Sequence, residues 1–412
     1  MMAATLPTST GAPARNARNF DLRAFDGLRG LAALYIVAHH ARIDLWEGSH
    51  RALASGGFAA VLAFATVPLR YGAEVVLLFF LLSGFVIHLR QAQSLARGES
   101  PSFRVASFFR RRATRLVPPL LCALVLTAAL DAVGSHAQPS VYDAYVSGRT
   151  AFAFAMNVLF LQGFAAPAFG SNSALWSLSY EMIFYALYPL LLLARVRFGA
   201  RAAFGATVGA GLVGIAVHVA VPSIGWTIAP YFAIWSVGAL IAEAFAGGVS
   251  LERPVALLAI GAALITPSLV RPGALDPTVQ SAIFASGLAL IMTVFVLHPI
   301  GFAPAAALAR LRGLGARSYT LYVVHTPVLV CMAALWLRWR GSLPESGWLM
   351  PAGVAAAVAL AFVLAPVVEL PFSGRRPTRV RAVERPSRFR RLRAVSPTTP
   401  EYEEVADERQ AA

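Results

Sequence analysis

The first long apolar run of the chain reads Phe25-Asp-Gly-Leu-Arg29-Gly-Leu-Ala-Ala-Leu-Tyr-Ile-Val-Ala-His-His40. Arg29 and His40 are 11 positions apart, which at about 100° per residue is within about 20° of three full helical turns. One face of one helix therefore presents a guanidinium and an imidazole, roughly 16 Å apart along the axis. A charge inside a membrane helix is costly and marks a binding site or pathway by default. Histidine is the side chain best suited to move a proton near neutral pH.

The composition is that of a membrane protein. Of the 412 residues, 58% are hydrophobic and only 13% are charged, whereas soluble globular proteins carry about 25% charged residues. The mean hydropathy is +0.64. Basic cytoplasmic loops explain the formal net charge of +15, so we expect no nucleic-acid partner. Cys122 and Cys331 lie in apolar segments and indicate no disulfide framework, and without a Cys/His/Asp cluster at ligand spacing we predict no metal site.

Ten stretches are long and apolar enough to cross a bilayer, which takes about 20 residues of helix. We therefore predict an all-α, polytopic membrane protein with about ten transmembrane helices. The apolar stretch 151–164 is shorter, and its length favours an interfacial or re-entrant segment. The predicted spans are residues 26–45, 72–90, 115–133, 175–194, 202–221, 227–246, 254–270, 280–300, 317–337 and 349–370.

The distribution of arginine predicts that both termini are cytoplasmic. With ten spans and the N-terminus inside, 27 of the 35 arginines fall in inside segments and seven in outside segments, as the positive-inside rule requires. Residues 1–24 contain no apolar region typical of a signal peptide, and we predict a disordered cytoplasmic arm. Residues 373–412, basic and then acidic, are predicted to form a disordered cytoplasmic tail whose basic part can contact membrane lipids. The expected location is the inner membrane.

A cluster of arginines precedes the third predicted span. Arg112 and Arg115 are three residues apart and share one helix face if the span begins there, with Arg111 beside them. Clustered guanidinium groups bind phosphate bidentately, so this Arg-x-x-Arg motif favours a site for a phosphate-bearing ligand. The alternative is a charge cluster that only holds the loop in the cytoplasm.

The fourth predicted span opens on Trp176-Ser-Leu-Ser-Tyr-Glu181-Met-Ile-Phe-Tyr185. Ser177, Glu181 and Tyr185 are spaced by four and line one helix face. Trp176 is either a platform for a sugar ring or part of an interfacial aromatic belt.

A glutamate about one turn inside a span is expensive unless it is paired or faces water. We therefore expect Glu181 to pair with Arg29, to orient His40 or to bind a sugar hydroxyl. Each of these alternatives makes it a functional residue.

Two further spans carry small or polar residues. Ser83-Gly84 in the second span is typical of close helix packing. In the ninth span, Pro327 kinks the helix and frees backbone groups. His325, two residues earlier, is either a buried core histidine or a second residue of the site.

Taken in order, these motifs resemble those of the acyltransferase-3 family of integral membrane acyltransferases, which includes O-antigen and exopolysaccharide O-acetylases. The chain departs from the family's pattern at Leu77, where an acidic residue often precedes the Phe-Phe pair, and at Pro119-Leu120, where an aromatic residue is common. The matching motifs are Phe25-Asp-Gly-Leu-Arg29-Gly with His40, Phe79-Phe80-x-x-Ser83-Gly84-Phe85, Arg112-x-x-Arg115-x-x-Pro118, Trp176-Ser-Leu-x-x-Glu181-x-x-Phe184-Tyr185, Ser318-Tyr-x-x-Tyr322-x-x-His325-x-Pro327 and Glu369-x-Pro371.

The resemblance implies a transmembrane O-acyltransferase domain over residues 25–372. Such an enzyme moves an acyl group, commonly acetyl from acetyl-CoA, to a hydroxyl of an acceptor, here expected to be a glycan or a glycosylated metabolite. The implied roles are catalytic for His40, Glu181 and Arg29, acyl-CoA binding for Arg111, Arg112 and Arg115, and acceptor binding for Trp176, Ser177, Tyr185 and His325.

A multi-span transporter of an envelope or secreted metabolite is the alternative function. Buried charge and broken helices also line transport paths. Transporters often contain two halves with matching interruptions, and this sequence shows no such pair, which favours the enzyme.

Overall fold

The structure is a computed structural model, and it describes residues 19–46, 56–146, 148–270, 275–298, 302–374 and 379–381. This part of the chain is almost entirely helical, and seven of its helices are long and apolar enough to cross a membrane. The predicted all-α, polytopic membrane class is confirmed.

The α-helices are numbered here in chain order. They are α1 (Arg23–Asp44), α2 (Gly57–Ala65), α3 (Gly72–Ala96), α4 (Val105–Ala137), α5 (Pro139–Tyr145), α6 (Ala151–Val158), α7 (Trp176–Ala220), α8 (Ile228–Ala246), α9 (Pro254–Val270), α10 (Pro277–Leu297), α11 (Phe302–Ala309), α12 (Arg312–Gly315), α13 (Ser318–Arg340) and α14 (Leu349–Val368). Short 3₁₀ turns occupy Val67–Arg70, Ser173–Leu175, Ile224–Thr227 and Leu370–Phe372.

Each predicted span coincides with helical structure, and α7 contains two of them. This helix runs for 45 residues but is interrupted at Gly199, whose φ of 84° and ψ of 169° are not helical. Glycine adopts such a positive φ without steric cost. The kink therefore separates the predicted spans 175–194 and 202–221.

Two of the helices at predicted spans are not among the seven that qualify by length and hydropathy. One is α1, which carries Asp26 and Arg29 within its first turns. The other is α9, which has only 17 residues. The total of ten crossings, with both termini cytoplasmic, stays a prediction.

The arginine-rich segment before the third predicted span, 115–133, is helical as well. Helix α4 begins at Val105 and continues through Pro118 and Pro119. Hydropathy delimits the part of a helix that lies in hydrocarbon, whereas a helix can extend beyond it into polar surroundings. Proline is tolerated in membrane helices because neighbouring groups satisfy the freed carbonyls.

The short apolar stretch after α5 forms helix α6, which has eight residues. At 1.5 Å per residue it is about 12 Å long and too short to cross a bilayer, in agreement with the expectation from its length. The chain after α6 is held by buried side chains: the Asn157 amide donates to the Pro167 carbonyl at 3.0 Å, and Asp131 accepts from the Ser171 hydroxyl at 2.5 Å and amide at 3.0 Å.

A two-stranded antiparallel sheet joins parts of the two terminal segments. Strand β1 (Asn19–Asp21) pairs with β2 (Arg379–Arg381), with Phe20 opposite Val380. Both strands lie in the terminal segments predicted to be disordered, 1–24 and 373–412. Disorder of residues 1–18, 375–378 and 382–412 is a prediction that lies outside the described residues.

Two glycines allow α3 and α8 to pack at close range. A Cβ added to Gly84 of α3 would overlap the carbonyl oxygen of Trp235, and one added to Gly238 of α8 would overlap that of Leu81. Close helix packing, predicted from Ser83-Gly84, is therefore confirmed for Gly84. This contact fixes the position of Ser83, the residue next to it.

We predict that Gly84→Ala lowers the thermal stability of the purified protein. The new methyl group must push α3 from α8, and overpacking of this kind costs about 1–3 kcal/mol. The matched control is Gly209→Ala in α7, since a Cβ there meets no atom within 4 Å. Thermal unfolding in detergent should separate the two variants, and equal melting temperatures would contradict the packing.

Candidate active site

A cavity of about 240 Å³ lies within the helical bundle. Its walls come from α1, α3, α4, α7, α12 and α13, most of which are distant in sequence. It collects six of the predicted site residues: Arg29, Arg112, Arg115, Ser177, Glu181 and Tyr185.

Five arginines line this cavity, and three of them have little compensation inside the protein: Arg29, Arg112 and Arg115. The other two are Arg23, which is paired with Asp21, and the exposed Arg312. Arg29 is 17% exposed, and the carboxylate paired with it is Asp26, one turn away at 3.9 Å. Arg112 lies over the rings of Phe108 and Tyr185, at 5.4 and 5.6 Å. The Nε atoms of Arg112 and Arg115 are buried without a hydrogen-bond partner. Because an unpaired buried polar group costs about 1–3 kcal/mol, such groups point to a ligand that satisfies them.

Glu181 is held by two hydroxyl groups. Ser83 Oγ donates to its Oε1 at 3.2 Å, and the Tyr185 hydroxyl donates to the same oxygen. In the described part of the chain, no ion pair joins Glu181 to Arg29 and no hydrogen bond joins it to His40. Glu181 therefore contributes a negative charge to the cavity wall.

The two predicted site histidines are in contact with each other although they are 285 residues apart. His325 Nε2 lies 3.2 Å from His40 Nδ1, and the ring centroids are 4.9 Å apart. His325 is fully buried, whereas His40 is partly exposed.

Backbone carbonyls determine which nitrogen of each ring carries the proton. His40 Nδ1 lies 3.0 Å from the Ile36 carbonyl, and His325 Nδ1 lies 2.7 Å from the Tyr322 carbonyl. Since a carbonyl oxygen only accepts, both Nδ1 atoms donate in the neutral rings. His325 Nε2 is then an acceptor for His40 Nδ1–H or for the Thr326 hydroxyl at 3.2 Å. The free lone pair of His40 is consequently on Nε2.

Tyr322 connects the cavity to the histidine pair. It lines the cavity, and its ring centroid lies 5.8 Å from that of His325. Its hydroxyl is 2.8 Å from both Ser177 Oγ and the Ala174 carbonyl. Our site prediction from sequence omitted Tyr322, although its i,i+3 spacing to His325 places both on one helix face.

Two predicted site residues lie elsewhere. Trp176 does not line the cavity and packs against Tyr180 and Tyr231, with centroids 5.7 and 6.3 Å away. Arg111 lines a neighbouring cavity instead. The histidine pair lies beyond Tyr322 and is not part of the cavity wall.

A second polar cluster involves a histidine that the sequence left without a role. His88 is fully buried, and its two nitrogens lie 3.0 Å from Glu243 Oε1 and 3.2 Å from the Tyr188 hydroxyl. Arg195 donates to the same carboxylate at 2.7 Å. This network ties α3, α7 and α8 together beside the cavity, and its internal pairing indicates a structural role.

The fold and this cavity together define the class: an integral membrane protein with a charged internal cavity. Residues 22–368 match a family model described as an acyltransferase domain. The chain therefore belongs to the acyltransferase-3 family, and it is a membrane acyltransferase. A search of curated proteins and a search of solved structures each found no match.

We predict that Glu181→Gln lowers the rate of acyl transfer by about tenfold or more. The amide keeps an acceptor oxygen for Ser83 and Tyr185, but the negative charge that faces the arginines Arg29, Arg112 and Arg115 is lost. Ser83→Ala removes one neutral hydrogen bond, worth about 0.5–1.5 kcal/mol, and should lower transfer by less than about tenfold. The ester content of cells carrying each variant as the sole copy gives the measurement. A fully active Glu181→Gln variant would show that the charge is dispensable.

Proposed function

We propose that this protein is an O-acyltransferase that moves an acyl group, most simply acetyl, from acyl-CoA to a hydroxyl of a glycan or glycosylated metabolite. The main support is the arrangement of groups along α1. An arginine-lined cavity lies at the Arg29 end of the helix, and His40, with a free lone pair on Nε2, lies about three turns further along. The first suits a phosphate-bearing donor, and the second suits removal of a hydroxyl proton.

The donor's phosphate groups would supply the hydrogen-bond acceptors and the negative charge that the arginines lack. The unpaired Nε atoms of Arg112 and Arg115 can donate to phosphate oxygens, a match that favours guanidinium over ammonium. Arg29 faces the same cavity and adds a third positive charge. In the predicted topology these residues lie toward the cytoplasm, where acyl-CoA is found.

His40 is proposed as the general base. Its Nε2 takes the proton of the acceptor hydroxyl as the hydroxyl oxygen attacks the thioester carbonyl. The tetrahedral intermediate then collapses, the C–S bond breaks, and the departing thiolate takes the proton from the imidazolium. The products are an ester and the free thiol of CoA. His325 holds the His40 ring through Nδ1 and is proposed as a positioning residue.

The spacing along α1 assigns the two ends of the donor. Arg29 and His40 are separated by roughly 16 Å along the helix, a span of the same order as the extended pantetheine arm of CoA. Arg29 is therefore proposed to bind donor phosphate, since its side chain is too short to reach a carbonyl beside His40. The acceptor approaches from the His40 end, which the topology places toward the outer face.

Ser177, Tyr185, His325 and Trp176 are the residues that we propose to shape the acceptor and acyl side. Ser177 is hydrogen-bonded to Tyr322, between the cavity and the histidines, and so it lies near the proposed thioester position. Trp176 and its aromatic neighbours offer a stacking surface for a sugar ring. The transporter alternative loses support because the chain belongs to an enzyme family.

His40→Gln is predicted to abolish transfer because an amide has no basic nitrogen. His39→Gln is the matched control: it is the next residue, and its Nδ1 lies 2.6 Å from the Leu69 carbonyl, a bond that an amide can still donate. Mass spectrometry of envelope glycans and secreted metabolites should show loss of the acyl increment for His40→Gln only, at equal protein levels. Wild-type esterification by His40→Gln would overturn the role of the base.

Replacing both Arg112 and Arg115 with alanine is predicted to raise the acyl-CoA concentration needed for half-maximal transfer by about 100-fold, at about 1.5–3 kcal/mol per charged hydrogen bond. Arg110→Ala is the control, because Arg110 is exposed and lines neither cavity. Transfer is measured in membranes against acetyl-CoA concentration. An unchanged donor requirement in the double variant would assign the motif to topology alone.

A further inference from the structure

A second cavity, of about 470 Å³, adjoins the first. It lies between the C-terminal part of α3, the connection to α4 and the first turns of α4. Four arginines line it: Arg90, Arg104, Arg111 and Arg112. Within the described residues no carboxylate lines it, in contrast to the first cavity, which contains Asp26 and Glu181.

The four guanidinium groups are available for a ligand. Arg90, Arg104 and Arg111 are exposed and Arg112 is half-buried. In the part of the chain that the structure describes, none of the four forms an ion pair, whereas the nearby Arg97 is paired with Glu99 at 2.6 Å. Such a concentration of one charge sign attracts an anion that carries several charges.

A buried acceptor in the same wall provides an independent indication of a ligand. Gln91 is 7% exposed, lines the second cavity, and its Oε1 has no hydrogen-bond partner. An unsatisfied buried carbonyl oxygen is rare and costly. A ligand that brings a donor group as well as negative charge would satisfy it.

The start of α4 adds a third contribution. Arg104 is the N-cap and gives no side-chain cap to the helix, so the first amide groups of α4 remain available beside the arginines. Helix N-termini bind phosphate through such amides and through the helix dipole. Phe103 and Phe108 provide an aromatic side to the same cavity.

The two cavities share Val86, Ile87 and Arg112 in their walls. A single extended ligand can therefore occupy both cavities, with one charged end in the second cavity and a charged segment followed by a thin apolar arm in the first. The first cavity's wall beyond its arginines is largely apolar, including Val76, Phe79 and Leu82.

We propose that the second cavity binds the phosphorylated adenosine end of acyl-CoA. Arg90, Arg104 and Arg111 bind its 3′-phosphate group, and Gln91 Oε1 accepts a hydrogen bond from the adenine amino group. Arg112, which lines both cavities, marks the passage of the diphosphate into the first cavity. The proposal rests on the proposed use of acyl-CoA and adds Arg90, Gln91 and Arg104 to the donor site.

The test is equilibrium binding of CoA to the purified full-length protein in nanodiscs of phosphatidylcholine, which offer no anionic headgroup. The variants are Arg90→Ala with Arg104→Ala, and separately Gln91→Leu; the control is Arg97→Ala. Adenosine 3′,5′-bisphosphate and pantetheine serve as probes of the two halves of CoA. Pantetheine binding also reports whether a variant keeps its fold.

The double variant is expected to bind CoA and adenosine 3′,5′-bisphosphate about tenfold or more weakly, because each lost charged hydrogen bond is worth about 1.5–3 kcal/mol. Its affinity for pantetheine stays as in the wild type, and Arg97→Ala binds CoA within about twofold of the wild type. Gln91→Leu is expected to weaken the binding of adenosine 3′,5′-bisphosphate several-fold without changing the affinity for pantetheine.

Unchanged CoA affinity in the double variant would overturn this subsite while leaving acyl-CoA as the donor. An equal loss of affinity for CoA and for pantetheine would also overturn it, since the substitutions would then have disturbed the whole fold. Displacement of CoA by phosphatidylglycerol added to the nanodiscs would assign the cavity to a lipid headgroup instead. Failure of the wild type to bind CoA at all would remove the proposed donor itself.

Discussion

The rest of the structure depends on the cost of keeping three guanidinium groups inside a helical membrane bundle. Arg29, Arg112 and Arg115 need water, counter-charge or a ligand, because an unpaired charge in hydrocarbon is costly. The bundle meets this need with a cavity between six helices, in which Glu181 supplies a negative charge. Two unpaired Nε atoms show that the compensation inside the protein is incomplete. The proposed phosphate-bearing donor would complete it, and its binding energy would then follow from the same constraint that shapes the cavity.

Tyr322 lies between this charged region and the proposed reaction centre. Its side chain lines the cavity, and its backbone carbonyl accepts a hydrogen bond from His325, which in turn contacts His40. Because both Nδ1 atoms donate to backbone carbonyls, the His40 lone pair is left on Nε2. The two carbonyls belong to residues one turn earlier on the same helices, Ile36 and Tyr322. The orientation of the base is therefore a property of α1 and α13 and does not require the substrate.

Hydropathy and motif spacing predicted the helical class, the spans and most of the cavity, because those signals are local. Arg112 and Arg115 share a face as their spacing indicates, and Glu181 faces the same cavity. The sequence did not reveal that Ser83 binds Glu181, since that contact joins residues 98 positions apart. Hydropathy located the apolar span 115–133 but not the ten helical residues before it, because they are too polar to be counted in a span.

The proposed mechanism requires one helix to separate the two ends of the donor, with phosphate at Arg29 and the reacting carbonyl at His40. An experimental structure with a non-transferable acetyl-CoA analogue, in which a methylene group replaces the thioester sulfur, measures both positions at once. We expect the diphosphate to contact the arginine-lined cavities and the carbonyl carbon to lie about 4–6 Å from His40 Nε2, which leaves room for a hydroxyl between them. A carbonyl carbon more than roughly 11 Å from His40 Nε2, the rise of two helical turns, would rule out His40 as the base.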